Sequence, residues 1–525
     1  MSITSTSFTH TVRSAIPSDI LYTIIELLNK HDLKRISSAS RHLRALALPK
    51  LFESISLRFG VMNDNDSDEE KERARMSVQV LRKIANPLVD GTEFDFAHFI
   101  RELRIIWVNK ERGFSEEKYC LQHSLKRLAK LRHFAWVGFR LPAEIANNIS
   151  SDKISLSLQV DSAGEVFAHD LSTLNRLQSI ETVYDCKTYV ESSSTLRYVH
   201  AAFWDVLNRN QNYLKRLSLC GDAMRNIYTL LTSIAANLTD LAVTEVGDFP
   251  ELETLLQETS ALEILTLLDA RSLNWLPRAA DKLPRLKYLK IWIERRVSIL
   301  VDDDDPYGVS PNMQVVAKDL LEFVRLHRNL SGFDFSCSNE FEDIGTNDDV
   351  FMNSMWFPDI VDAVCTLEGV RALGITMPRS TEMDMREALE RISEHTQLKG
   401  SCTALRLGGL SDVPMEDWTK GLRNCSLVSL SSGRPEENVF KTYHTPCIEE
   451  LVFLHSGCRL EQFCLDGQMY DITLFGPDEE DVITPWSPTR AAWRTERDFC
   501  SFDAYWLMKY RTTEDECEAA PGSFH

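Results

Sequence analysis

Long hydrophobic runs are missing from this 525-residue chain, and so is any Cys-x-x-Cys pair. A bilayer-spanning helix needs about 18 or more apolar residues in a row, so no membrane span is expected. The opening stretch Met1–Ser14 is rich in Ser and Thr and has no apolar core, which argues against a secretion signal. The 12 cysteines are scattered, several at positions that read as core. That is the usage of a reducing compartment, where cysteine serves as a small hydrophobe, and it points to the cytoplasm, the nucleus or both. Basic residues are in deficit, 58 against 78 acidic, for a net charge of -20. Such a chain repels phosphate backbones, so nucleic acid is not an expected partner. No G-x-G-x-x-G, Walker loop, H-E-x-x-H or G-x-S-x-G occurs, and the 13 histidines form no pair at ligand spacing on a helix. Catalysis, a cofactor and a metal site therefore have no support in the sequence.

What is present is a globular composition, with 43% hydrophobic and 26% charged residues. The acidic residues gather in runs such as Asp64–Glu70, Asp302–Asp305 and Asp343–Asp349, which read as solvated loops. Near the N-terminus the basic residues Lys30, Lys34, Arg35, Arg41, Arg44 and Lys50 stand out in this acidic chain.

That N-terminal stretch, Ile16–Phe52, carries apolar residues at Ile20, Leu21, Ile24, Leu27 and Leu28, a helical stripe. Asp32 is a suitable N-cap for a second short helix with Leu33 and Ile36, and Ser40 for a third with Leu43, Leu46 and Ala47, closed by Pro49. Three short helices in under about forty residues bury too little apolar surface to be stable alone. Such a unit needs a partner surface, in its own chain or in another protein.

The order Ile16-Pro17-x-x-Ile20-Leu21, Asp32-Leu33, Ser40-Arg41-x-Leu43-Arg44-x-Leu46 and Pro49-x-Leu51-Phe52 resembles an F-box of the fungal type. Ile16 stands where the family usually has Leu, Asp19 where it has Glu, and Leu43 where Trp is frequent. The resemblance implies a module that binds a Skp-type adaptor and through it a cullin. Carried over by position, Ile16, Pro17, Ile20, Leu21, Ile24 and Leu33 would face the adaptor. The alternative is that these residues form the inside of an ordinary helical cap. Periodicity does not separate the two readings; the ordered motif favours the F-box.

Beyond an acidic linker at Asn63–Glu72 and a helical pattern over Ala74–Asn86, one motif returns: apolar, two variable, apolar, one variable, apolar. It reads Leu214/Leu217/Leu219, Leu238/Leu241/Val243, Leu262/Leu265/Leu267 and Leu286/Leu289/Ile291, each copy 24 residues after the last. Less regular copies start at Ile100, Leu131, Leu196, Leu330, Val370, Cys402, Ile448, Leu460 and Met469. This period and spacing are the leucine-rich-repeat signature. The last two apolar residues of each unit point to one face of a short strand, and the segments between strands return as helices. The fold expected is an α/β solenoid, an irregular leucine-rich-repeat arc with parallel strands inside and helices outside, preceded by the small three-helix module. The Asn or Cys that usually follows the strand is absent, and the later spacings are uneven. Irregular repeats of this kind resemble those of fungal F-box proteins.

The variable strand positions face away from the helices. Arg216, Asp240, Tyr288, Lys290 and Trp292 are the candidates for binding a target protein, with Tyr288 and Trp292 foremost because Tyr and Trp dominate interface hot spots. The competing reading is that these two pack under a neighbouring loop. The insertions Val301–Asn312 and Asn339–Trp356 are further candidates. Near the end, Ser487-Pro488 opens a helical pattern through Trp493, Phe499, Phe502, Tyr505, Trp506 and Met508, read as a cover over the last repeat.

The organisation expected is a disordered N-terminus over 1–15, the F-box over 16–57, an acidic linker and helix over 58–98, the repeat domain over 99–476, a cap over 477–511 and an acidic tail over 512–525. The resemblance implies an adaptor that holds an unknown target for ubiquitin transfer by its partners. A repeat scaffold without a ligase role is the alternative.

Overall fold

Where the repeated motif reads apolar-x-apolar, the chain forms a short strand, because alternate residues there satisfy two different surroundings. The computed structural model describes residues 18–28, 30–59, 68–86, 95–107, 115–138, 141–149, 154–160, 174–182, 206–220, 232–244, 250–268, 270, 273–295, 313–339, 357–376, 387, 391–392, 401–408, 425–430, 460–465, 468–473, 482–486, 490 and 494–509. The strands are β1 (Ser54–Phe59), β2 (Glu102–Trp107), β3 (His133–Gly138), β4 (Ser155–Val160), β5 (Leu177–Thr182), β6 (Arg216–Cys220), β7 (Asp240–Thr244) and β8 (Ile264–Leu267). They continue as β9 (Tyr288–Arg295), β10 (Gly332–Asn339), β11 (Ala372–Thr376), β12 (Ala404–Gly408), β13 (Leu427–Leu430), β14 (Gln462–Leu465), β15 (Gln468–Thr473) and β16 (Val482–Pro485).

All sixteen join one open sheet in chain order, each strand beside the next. From β1 to β14 every pairing is parallel; only β14–β15 and β15–β16 are antiparallel. A parallel neighbour requires a crossover, and the crossovers carry helices where they are described. These include α4 (Asp68–Ala85), α5 (Ser115–Arg127), α6 (Ala143–Ile149), α7 (Pro250–Glu258), α8 (Met313–Leu326) and α9 (Phe357–Cys365); α1 (Ser18–Leu27), α2 (Lys30–Ala39) and α3 (Arg41–Leu51) precede the sheet. The architecture is compatible with an α/β solenoid.

One continuous core runs along the sheet. It joins strand residues such as Leu103, Phe134, Leu217, Leu241, Leu265, Leu289, Phe333, Leu373, Val428 and Phe463 to helix residues such as Leu81, Leu121, Leu255, Phe323 and Ile360. All the crossover helices that feed this core therefore lie on one face. Each fully buried Leu or Phe contributes about 1.5–3 kcal/mol, and the repetition is what stabilises the array. Among the described residues no helix is long and apolar enough to cross a membrane.

Several expectations change. A strand, β1, forms at the junction assigned to the F-box and linker, because Ile55, Leu57 and Phe59 alternate with Ser56 and Arg58 and pair onto β2. The helix expected from Ala74 begins at Asp68, inside the expected loop. The unit at Met469 is no parallel repeat: β15 pairs antiparallel with β14, and two residues between them in sequence are too few for a crossover. Strands β4, β5, β13 and β16 were not anticipated. The 1–15 segment, the copies at Leu196 and Ile448, the insertion Val301–Asn312, most of Asn339–Trp356 and the 512–525 tail lie outside the described residues.

Phe333 is fully buried in β10 between neighbouring core positions. Phe333→Ala is expected to cost about 3–5 kcal/mol, read as a lowered urea midpoint, whereas truncation of exposed Val315 should cost no more than about 0.5 kcal/mol.

Candidate protein-interaction surfaces

The three N-terminal helices hold a small core of their own. Ile25, Leu33, Leu46 and Ala47 are buried in it, with Leu21, Leu28 and Leu51 packed alongside. Ser40 caps α3 by accepting from the Leu43 amide at 3.1 Å. On α1 this inner face is not the only apolar one. Ile20, Ile24 and Leu27, spaced four and three apart on a single stripe, are 52%, 41% and 83% exposed. The basic side chains Lys34, Arg35, Arg41, Arg44 and Lys50 are exposed as well. A groove of about 270 Å³, lined by Tyr22, Ile25, Leu46, Phe99 and Arg101 among others, separates this unit from the start of β2. The stripe is thus outside both the helical core and the core of the sheet.

The second surface is the face of the sheet turned away from the crossover helices. Strand register sets its rows. One row runs Arg216, Asp240, Ile264, Tyr288, Gly332, Ala372, Ala404, Leu427, Gln462; the next runs Thr266, Lys290, Asp334, Gly374, Arg406, Ser429, Cys464. The chain's own C-terminal segment lies across these rows. Helix α10 (Phe502–Met508), capped by Ser501, packs against β10, β11 and β12. Its Tyr505, Trp506, Leu507 and Met508 form a second core with Tyr288, Ala372, Ala404, Leu427, Cys464 and Met469.

Polar contacts fix both ends of α10. Tyr288 donates its hydroxyl to Asp503 Oδ1 at 2.7 Å and accepts from Arg371 at 2.9 Å. Lys290 Nζ donates to the carbonyls of Trp506 at 2.9 Å and Leu507 at 2.8 Å in the last helical turn, the first of which also accepts from the Lys509 amide. Lys290 also pairs with Asp334 at 3.2 Å, both fully buried, and Asp334 accepts from Arg406 at 2.5 Å. Trp292 lies 5.2 Å from Lys290 Nζ and 5.2 Å from the Arg406 guanidinium, ring centroid to charge. After α10, Lys509 reaches Glu181 at 3.0 Å and Asp240 at 3.3 Å. Before it, Asp498 lies 3.8 Å from Arg58 of β1, while its carbonyl accepts from Gln462 of β14 at 2.7 Å.

Burial sets the protonation of these groups. Desolvation drives the Lys290 ammonium down to about 7; Asp334 opposes the shift and Arg406 adds to it. Burial, with the hydrogen bond to Asp503, pushes the Tyr288 hydroxyl up to about 12. Burial works against ionisation of both carboxyls that share Lys509. At Glu181 the attraction of Lys509 and Arg216 outweighs it and holds the group near 2, whereas Asp240 stays raised.

The expected site residues fall into different places. Ile20 and Ile24 are exposed, Leu21 is half-buried against the helical core, and Ile16 and Pro17 lie outside the described residues. Leu33 is buried at 1% exposure in the three-helix core and has no surface to offer an adaptor, which corrects its assignment. Leu27, which the motif did not single out, is the most exposed apolar residue of α1; its spacing from Ile20 and Ile24 was the available signal. Arg216 is half-buried and Asp240 is buried beside Lys509. Tyr288, Lys290 and Trp292 face away from the crossover helices as expected, but they are covered, at 5%, 0% and 9% exposure. The competing reading places Tyr288 and Trp292 under a neighbouring loop; for Tyr288 the covering segment is a helix distant in sequence. Over Tyr288 and Lys290 the cover is α10, which crosses the face of β10–β12 instead of closing the last repeat, because its large side chains find small ones there; Trp292 packs with Ala242 and Leu268. Arg371, Asp334 and Arg406 were not anticipated. Among the described residues no group of His, Cys, Asp and Glu is placed to hold a metal.

No family model matches the chain, and no curated protein does. Among solved structures, the crystal structure of a Bacteroides fragilis protein is 13% identical and covers 69% of this chain and 74% of that one. Its TM-score of 0.24 is too low to carry an argument about fold or function.

The Lys290 ammonium, held near 7 in the fold, returns to about 10.4 when the chain unfolds. Between these values the unfolded chain binds the extra proton, so stability rises with pH through the window. The urea midpoint is expected to rise from about pH 7 to about pH 9, and Lys290→Met to flatten that slope. An unchanged slope in the variant would rule out Lys290 as its source.

Proposed function

We propose that this chain is a non-enzymatic adaptor of an SCF-type cullin ubiquitin ligase, an F-box protein of the fungal type with divergent leucine-rich repeats. One observation carries the reading: the exposed Ile20/Ile24/Leu27 stripe on a helical unit whose own core is already filled by Ile25, Leu33, Leu46 and Ala47. A helix apolar on two sides, one of them bare, calls for a foreign surface. The ordered motif from Ile16 to Phe52 supplies the identity of that surface, a Skp-type adaptor that joins the chain to a cullin. The exposed cations of α2 and α3 would steer an acidic adaptor toward the stripe.

Behind the module, the array of parallel strands and helices supports a repeat body that holds a target protein. Such an adaptor needs no catalytic group of its own. Holding the target beside the charged enzyme raises its effective concentration there, and the bond-making belongs to the partners. Function in the cytoplasm, the nucleus or both is part of the proposal.

Ile20→Asp with Ile24→Asp places two carboxylates in the stripe without touching Ile25 or Leu33. The double variant is expected to lose Skp-type adaptor capture in a pull-down, by at least about tenfold in affinity, while its thermal midpoint stays within about 2 °C of the parent. Capture at parental affinity would leave a repeat scaffold without a ligase role as the better reading.

A further inference from the structure

The part of the sheet under α10 is built as a socket for a short helix. Its floor is cut down to small residues at neighbouring outward positions: Gly332, Ala372, Gly374 and Ala404. The two glycines are needed. A Cβ on Gly332 would lie 2.3 Å from the Tyr288 ring and 2.8 Å from the Trp506 ring. A Cβ on Gly374 would lie 2.3 Å from Asp334 Oδ1 and 3.0 Å from Leu507. The space they leave is filled by the aromatic and aliphatic side chains of α10.

The rim reads polar features at both ends of the occupant. Tyr288 and Arg371 engage a carboxylate in the first turn, Asp503. Lys290 donates to the carbonyls of the last turn, at Trp506 and Leu507. A seven-residue helix does not persist alone in water, so the socket imposes this shape on its occupant.

The charge content also matters. A permanently closed core gains from replacing buried ion pairs with apolar side chains of similar volume. This face instead carries Lys290, Asp334 and Arg406 in one row and Glu181, Arg216 and Asp240 nearby. Those groups suit a surface that meets water when its cover leaves.

From this geometry we infer that the socket recognises a short helical segment with a carboxylate in its first turn and an aromatic three residues later, and that residues 502–508 are its resident occupant, displaced by a target segment of the same kind. The inference rests on the reading of this chain as one that holds a target protein, and it names the chemistry of that target.

Amide exchange on the unaltered full chain tests the first half. Residues 502–508 are expected to exchange at least about tenfold faster than β9–β12, through an opening that leaves those strands protected. Exchange of α10 and β9–β12 as one cooperative unit would overturn displacement. The second half uses a full-length variant, Asp503→Lys with Trp506→Asp, whose own segment no longer fits. It is expected to bind an added labelled peptide of sequence 494–509 at one per chain, and Lys290→Met in the same background to weaken that binding at least about tenfold. No peptide binding by a variant that keeps parental protection in β9–β12 would sink the proposal. If that variant does not fold, the exchange pattern of the unaltered chain decides. Adaptor capture is measured separately, so loss of the ligase reading leaves peptide binding standing, and loss of the socket leaves adaptor capture standing.

Discussion

Alternation along the strand is the constraint from which the rest of the molecule follows. A strand offers successive side chains to opposite faces. In each regular unit one set, such as Leu241 and Val243, is committed to the crossover helices, and the other is released from that duty. Because parallel strands add in chain order, both sets line up into continuous rows. One face becomes a core without interruption. The other becomes a surface whose composition answers to a different selection, and there the chain places its buried charges and its glycine floor.

The charges on that second face are held by mutual arrangement. Asp334 lies between two cations, Lys290 and Arg406, and Trp292 presents its ring to both. A single carboxylate offsets part of two desolvation costs, and the helix-end carbonyls of α10 supply further acceptors to Lys290. The ammonium is nevertheless left easy to deprotonate. The N-terminal unit solves the opposite problem. Its interior is complete and uncharged, and what it leaves bare is apolar.

Much of the sheet was legible because leucine spacing is a direct record of which side chains share a core. The four units 24 residues apart became β6–β9 with the expected facing. Strand β1 was missed because Ile55, Leu57 and Phe59 sit close behind a helical motif, and β4 because Lys153 stands where the motif before Leu156 and Leu158 has its first apolar residue. The stripe on α1 was readable, but periodicity does not say which of two apolar sides is inward; Leu33, on α2, is outward by the motif and buried in the fold. The cover over Tyr288 and Lys290 was not legible. It depends on pairings distant in sequence, with 215 positions between Tyr288 and Asp503, and on the bulky residues of α10 meeting the small ones at Gly332, Gly374 and Ala404. Aromatic density near Phe502 signalled burial, and nothing local said against what.

Stacked-repeat chains ordinarily behave as beads on a line, each unit feeling only its neighbours, so that damage at one end leaves the other intact. Asp498 breaks that rule. Its carboxylate sits beside Arg58 on the first strand while its backbone is held by Gln462 on the fourteenth. The residue works as a tie rod across the span, and it converts a one-dimensional melting problem into a looped one. Unpairing β1 or β14 therefore also costs a contact with a strand far along the sheet, a coupling that their separation in sequence would not suggest.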